Sequence, residues 1–119
     1  MIEIRTATQK DVEAFYGGKP LKSMRAFVAV LDGQPIGIGG IFREQHMHVV
    51  FSEMKPEMRK YKKAILKISY LVCDIMKQYN VVYAVASKNE ESATRLITHF
   101  GFRLVEINSE GEGVYVWHN

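Results

Sequence analysis

The stretch Ser52–Val72, SEMKPEMRKYKKAILKISYLV, decides how the chain is read. A short apolar strand runs into Pro56, then into a knot of Lys and Arg, then into a long amphipathic segment. From Met58 onward, Tyr61, Ile65, Ile68, Val72, Ile75 and Tyr79 recur at spacings of three and four, which predicts a helix laying one stripe on a sheet. Just before it, HMHVVFSE reads as a strand with Met47, Val49 and Phe51 on one face and His46, His48, Val50 and Ser52 on the other. Just after it, VVYAVAS is a continuous apolar run, the pattern of a strand buried on both faces.

The flanking segments extend this strand–helix–strand unit in both directions. RAFVAVLDGQPIGIGGIF holds two apolar runs around Asp32-Gly33, a dipeptide that supplies the positive backbone angles of a tight hairpin. At the start, IEIRTA alternates as a strand does, and in TQKDVEAFYGG Thr8 can cap a short helix with Asp11 in its first turn. Towards the end, NEESATRLITHFGF reads as a helix with Asn89 near its start and Gly101 as its stop. FRLVEI and VYVWH then close the chain as strands around NSEGEG. The predicted order is β-α-β-β-β-α-β-α-β-β, an α/β arrangement of the α+β kind with helices on a mixed sheet.

With 119 residues, 47% apolar and 24% charged, the chain fits one soluble domain spanning 1–119 with a single core. No run of about 18 apolar residues exists, so no membrane span is predicted. The early acids and the lack of an apolar signal core argue for the cytoplasm. Cys73 is the single cysteine, which rules out an intrachain disulfide and fits a packed thiol in a reducing compartment.

The net charge of +3 is mild; what stands out is its concentration in Lys55, Arg59, Lys60, Lys62, Lys63 and Lys67. Two readings compete for this run. A solvated helix face is one. The other is an anion site, because the first amides of a helix lack intrahelical partners and sit at the positive end of its dipole. Nucleic acid fits poorly, since no exposed aromatics interleave the basic residues. His46 and His48 share a strand face, but no third metal ligand lies near, so no metal is expected. The glycines of IGIGG lie in a hairpin strand with the wrong spacing for a dinucleotide site, and read as close backbone packing or a bulge.

The element order, with MKPEMRKYKKA and NEESATRLITHFGFRL, resembles the GCN5-related N-acetyltransferase (GNAT) superfamily over about Ile2 to Trp117. The first pattern is similar to the family's strand-to-helix junction, in which an Arg or Gln is followed at fixed spacing by a Gly and then a Gly or Ala. Arg59 and Ala64 match; Lys62 stands where the family has the glycine that lets phosphate approach bare backbone. Without that glycine the helix can start as early as Pro56, which suits a first helical position, and engage the amides a phosphate would need.

The resemblance implies acetyl transfer from acetyl-CoA to a primary amine, on a small molecule or a protein. Backbone around Phe51 to Met54 would pair with the pantetheine arm, and Arg59, Lys60, Tyr61, Lys62, Lys63 and Ala64 would meet the pyrophosphate. Asn89 is a further cofactor contact, although a capping role also explains it. The amine must lose a proton, for which Glu53 and His48 are the candidate bases; they point to opposite faces, so one at most can serve. Relatives often carry a tyrosine four residues before the Gly-Phe pair as general acid, and here that place holds Ile97, leaving Tyr83 or Tyr115 to approach from elsewhere.

Lys62 and Ile97 also make the chain similar to small bacteriophage-encoded GNAT-like proteins, which implies a second reading: a catalytically impaired protein that binds a host or virion partner. A homodimer through an exposed edge at VYVWH is a further expectation.

Overall fold

A computed structural model describes residues 1–18, 23–86 and 91–119, with side chains in the last segment from residue 94 onward. The predicted order is found in full: β1 (Ile2–Thr6), α1 (Gln9–Tyr16), β2 (Met24–Leu31), β3 (Gln34–Glu44), β4 (Met47–Met54), α2 (Lys62–Met76), β5 (Val81–Ala86), α3 (Glu91–His99), β6 (Arg103–Ile107) and β7 (Gly113–His118). The seven strands form one mixed sheet in the order β1-β2-β3-β4-β5-β7-β6. Only β4 and β5 pair in parallel, as their connection through α2 requires. No helix among the described residues is long and apolar enough to cross a membrane.

The local signals act as read. Thr8 caps α1 by accepting from the Asp11 amide at 3.2 Å, and the Asp11 carboxylate accepts from the Thr8 amide at 2.8 Å. Arg5 of β1 then grips both oxygens of Asp11 at 2.8 Å each, tying α1 to the sheet. Burial alone would push the Asp11 carboxyl up, but the Thr8 and Arg5 hydrogen bonds bring it below its usual value. Asp32 and Gly33 turn the β2–β3 hairpin with φ of 50° and 82°. Gly101, at φ 96°, stops α3 while the Phe102 amide donates back to Ile97 O at 3.2 Å.

α1 packs on one face of β2–β4 through Val12 and Phe15 against Ala26, Ile38 and Phe51. α2 covers the other face, its Ala64, Ile68, Val72, Ile75 and Met76 joining Ala29, Ile41, Val82 and Ala84 in the main core. The IGIGG glycines set how closely β3 meets the helix layer at Gly37 and Gly39, and how closely it meets β2 at Gly40. A Cβ on Gly39 would lie 2.8 Å from Ile68 Cγ2, one on Gly37 3.2 Å from Met58, and one on Gly40 2.6 Å from the Ala26 backbone. Close packing is thus their role, as expected.

Three expectations need correction. β5 is not buried on both faces: Val82, Ala84 and Ala86 are buried, while Val85 is exposed and Tyr83 half-buried. Tyr83 and Val85 lie on the face of the sheet opposite α2, where burial is only partial. β7 is no edge, since β5 flanks it on one side and β6 on the other; the free edge is β6. Met24, Met47, Met54, Met58 and Met76 read from the sequence as core filler, the usual place of methionine; Met58 and Met76 are buried, but Met47 and Met54 are exposed.

Candidate functional site

The parallel pair decides where a ligand can enter. β4 and β5 meet only at Val49 with Tyr83 and Val50 with Ala84, and then part. Beyond that point β4 stays bonded to β3 as far as Met54, so its other edge turns backbone groups that are unpaired among the described residues into a gap. A cleft of about 340 Å³ fills the gap. Its walls are Val50, Phe51, Ser52 and Glu53 of β4, Ala84 to Ala86 of β5, Ile68 to Met76 on one side of α2, and Leu96, Ile97 and Phe100 of α3. Such a crevice outside the carboxyl ends of parallel strands is where open α/β sheets bind ligands.

Beyond the end of β4 the chain does begin to coil at Pro56, as the absence of a glycine at position 62 suggested. It forms only a short 3₁₀ turn, Pro56–Lys60, and then breaks at Tyr61, whose φ of −96° and ψ of 64° are not helical. α2 restarts at Lys62 without a side-chain cap. The Met58 and Tyr61 amides are spent inside the turn, and those of Ala64 and Ile65 on Tyr61 O. The Lys62 and Lys63 amides bond to no described residue and face outward at the positive end of a fifteen-residue helix. They lie about 9 Å beyond the cleft wall at Ser69, at 1.5 Å of helix per residue.

The basic side chains are distributed around this end. Arg59, Lys60, Lys62 and Lys63 are exposed, and Lys60 Nζ lies 5.4 Å from the Tyr61 ring centroid. None of the four forms an ion pair among the described residues. Tyr61 is half-buried against the core, and Ala64 is buried beneath α2, so Ala64 contributes close packing and backbone rather than a ligand-facing side chain. Phe51 and Glu53 line the cleft; Met54 lies past its rim. Asn89 lies outside the described residues.

The two candidate bases part company. Glu53 stands in the cleft wall on the α1 side of the sheet, and the Tyr16 hydroxyl, at the end of α1, donates a hydrogen bond to it. Burial first, and then the Glu53 hydrogen bond and charge, push the Tyr16 phenol well above its usual value, so it remains a donor at any physiological pH. His48 lies on the opposite face, outside the cleft wall, its ring stacked on Tyr79 at 3.9 Å.

Ile97 itself lines the cleft, and neither Tyr83 nor Tyr115 does, so among the described residues no tyrosine stands in the wall. Of the groups that could hold a proton, the wall adds Ser52, Ser69, Cys73 and Glu112. The Ser69 hydroxyl is engaged with Ile65 O at 2.9 Å. Burial, with Asp74 nearby, raises the Cys73 thiol above its usual value despite Lys77. Tyr16, Glu112 and the cleft-facing side of Cys73 were invisible to sequence reasoning: each is brought to the site by pairing between distant segments.

No family model matches the sequence, and no curated protein matches it. Solved structures do match in shape. An acetyltransferase from Streptococcus agalactiae superposes with a TM-score of 0.72 at 11% identity, over 99% of this chain and 98% of that one. The fold is the GNAT acetyltransferase fold. A GNAT-family acetyltransferase from Streptococcus pneumoniae matches with a TM-score of 0.67 at 16% identity, over the whole of both chains. The ribosomal-protein-S18-alanine N-acetyltransferase of Escherichia coli gives 0.67 at 12% identity, over 98% of this chain and 91% of that one. These GNAT-fold neighbours are bacterial proteins and lend the bacteriophage resemblance no support.

Proposed function

We propose that the chain is an N-acetyltransferase that takes its acetyl group from acetyl-CoA and passes it to a primary amine. One observation carries this reading: the parted β4–β5 pair opens a cleft along one side of α2, the same helix whose first amides, at Lys62 and Lys63, are unpaired and flanked by cations without ion-pair partners among the described residues. An extended pantetheine arm fits the unpaired edge of β4 at Phe51 to Met54, where its amides find the backbone partners that β5 does not supply. The Lys62 and Lys63 amides, with Arg59 and Lys60, then suit the pyrophosphate. Lys62 replaces conformational freedom with charge at this place.

Coenzyme A supplies the activated thioester; the chain's own residues orient it and move protons. Glu53 is the base this reading selects, because it stands in the cleft wall and is held by Tyr16, whereas His48 is turned to the other face. Cys73, kept protonated by its surroundings, is a proton source beside the cleft in place of the absent tyrosine. Acceptors of either kind, a small amine or a protein amine, fit the reading.

The test has two arms. Acetyl-CoA at millimolar concentration is expected to raise the melting temperature, since a ligand specific for the folded state stabilises it, and Arg59→Glu to weaken that effect. Thiol release from acetyl-CoA is then followed with a panel of amines; Glu53→Gln is expected to lower the rate by about 10²–10⁴-fold, the usual contribution of a general base. No thermal shift would overturn the cofactor assignment. It would favour the second reading, a binding protein on the same fold, in which Lys62 and Ile97 mark lost chemistry and the partner is a host or virion protein.

A further inference from the structure

The free edge at β6 is unlike the free edge at β1. β1 presents the charged pair Glu3 and Arg5, joined to each other at 3.5 Å, so its edge charges are already matched within the strand. On β6 every residue is exposed, and three are large and apolar: Leu104 at 54%, Val105 at 52% and Ile107 at 47%. Neither lysine nor proline guards this strand. A bulge at Val105 interrupts its pairing with β7, yet the bulge residue is itself apolar.

Register assigns the remaining side chains. Arg103 and Glu106 pair with Val116 and Val114, which puts both on the face without α2 and α3. Leu104 pairs with Tyr115 and Ile107 with Gly113, on the helix-covered face, where a Cβ on Gly113 would touch both Leu104 and Tyr115. Neither Arg103 nor Glu106 has an ion-pair partner among the described residues.

We propose that β6 is a dimerisation edge, pairing antiparallel with β6 of a second copy of this chain about a two-fold axis at Leu104, with Val105 of each copy left out of the pairing as it is against β7. A two-fold contact is self-complementary by construction, and this strand meets that condition. Arg103 faces Glu106 of the second copy, twice over and on a single face of the joined sheet. On the other face Leu104 and Ile107 of the two copies become diagonal neighbours, close enough for apolar contact. A partner of different sequence would have to match both faces; a second copy does so automatically. The proposal is independent of the transferase reading, since β6 lies at the far end of the sheet from β4.

Sedimentation equilibrium from micromolar to sub-millimolar concentration tests it. The wild type is expected to dimerise within that range. Arg103→Glu and Glu106→Arg are each expected to weaken the dimer about tenfold or more, because like charges then face each other directly, and the double reversal to restore it. Leu104→Lys is expected to give monomer. Circular dichroism checks that each variant folds, and hydrogen exchange on the wild type needs no variant: β6 amides should gain protection as concentration rises. A wild-type monomer throughout, a dimer indifferent to these substitutions, a double reversal that fails to restore pairing, or β6 exchange independent of concentration would each overturn the proposal.

Discussion

Replacing Gly39 with alanine tests how α2 is seated on the sheet. The new methyl would lie 2.8 Å from Ile68 Cγ2, more than half an ångström inside ordinary carbon contact, and Ile68 is only 7% exposed, so it can yield only towards the cleft that it lines. Either Ile68 leaves its rotamer or α2 lifts from β3, and overpacking of this kind costs about 1–3 kcal/mol. With an unfolding entropy of about 2.1 cal/mol/K per residue, the 119-residue chain loses about 8 °C of melting temperature for 2 kcal/mol. A double-mutant cycle isolates the contact. Ile68→Ala alone should cost about 2–4 kcal/mol through the cavity it leaves. Made together, the two changes should cost at least about 1 kcal/mol less than their sum, because the alanine methyl then enters the space Ile68 vacated. Thermal and urea unfolding supply the numbers. A neutral Gly39→Ala, or strict additivity, would refute the described depth of α2, and with it the width of a cleft that both residues line.

Other outcomes follow from the same contacts. Asp11→Asn should cost about 2 kcal/mol by weakening a hydrogen-bonded cap and an Arg5 pair that is partly exposed and so partly screened. Because the folded-state pKa of Asp11 is depressed, its contribution should be complete above the unfolded aspartate range and vanish as pH falls through the lower folded value, which acid titration of wild type against Asp11→Asn would reveal. Cys73, with its thiol raised, should alkylate more slowly at pH 8 than a free cysteine, and more slowly still with acetyl-CoA present; unchanged labelling on adding acetyl-CoA would place the cofactor elsewhere. Lys62→Gly should destabilise the start of α2 by about 0.5–1 kcal/mol yet tighten acetyl-CoA binding measured by calorimetry, whereas a weakening would make the Lys62 charge the more important contribution.

The element order was legible because each segment carries its own punctuation: Thr8 with Asp11, Asp32-Gly33, the Tyr61-to-Ile75 stripe, and Gly101. Which face each strand shows to solvent was not. The run from Val81 to Ala86 reads the same whether one layer or two cover it, and that is settled by segments far away in the chain. The edge was misplaced for a related reason: strand sequence reports apolar character, but the insertion of β7 between β5 and β6 is set by the crossover through α3. At the site, Glu53 and the basic junction could be picked out as residues. The Tyr16 contact, and the break at Tyr61 that spares two amides where a continuous helix was feared, depend on tertiary packing and on a single pair of backbone angles.

The brief union of β4 with β5 also has a mechanical meaning. Chain ends lie on opposite sides of it, β1 in one four-stranded leaf and β7 in a three-stranded one. Tension applied through the termini must therefore cross a seam stitched by only two residue pairs and backed by α2. A ligand lying along the open part of that seam would act as a missing length of strand, and the force needed to tear the leaves apart would report its presence without any chemistry taking place.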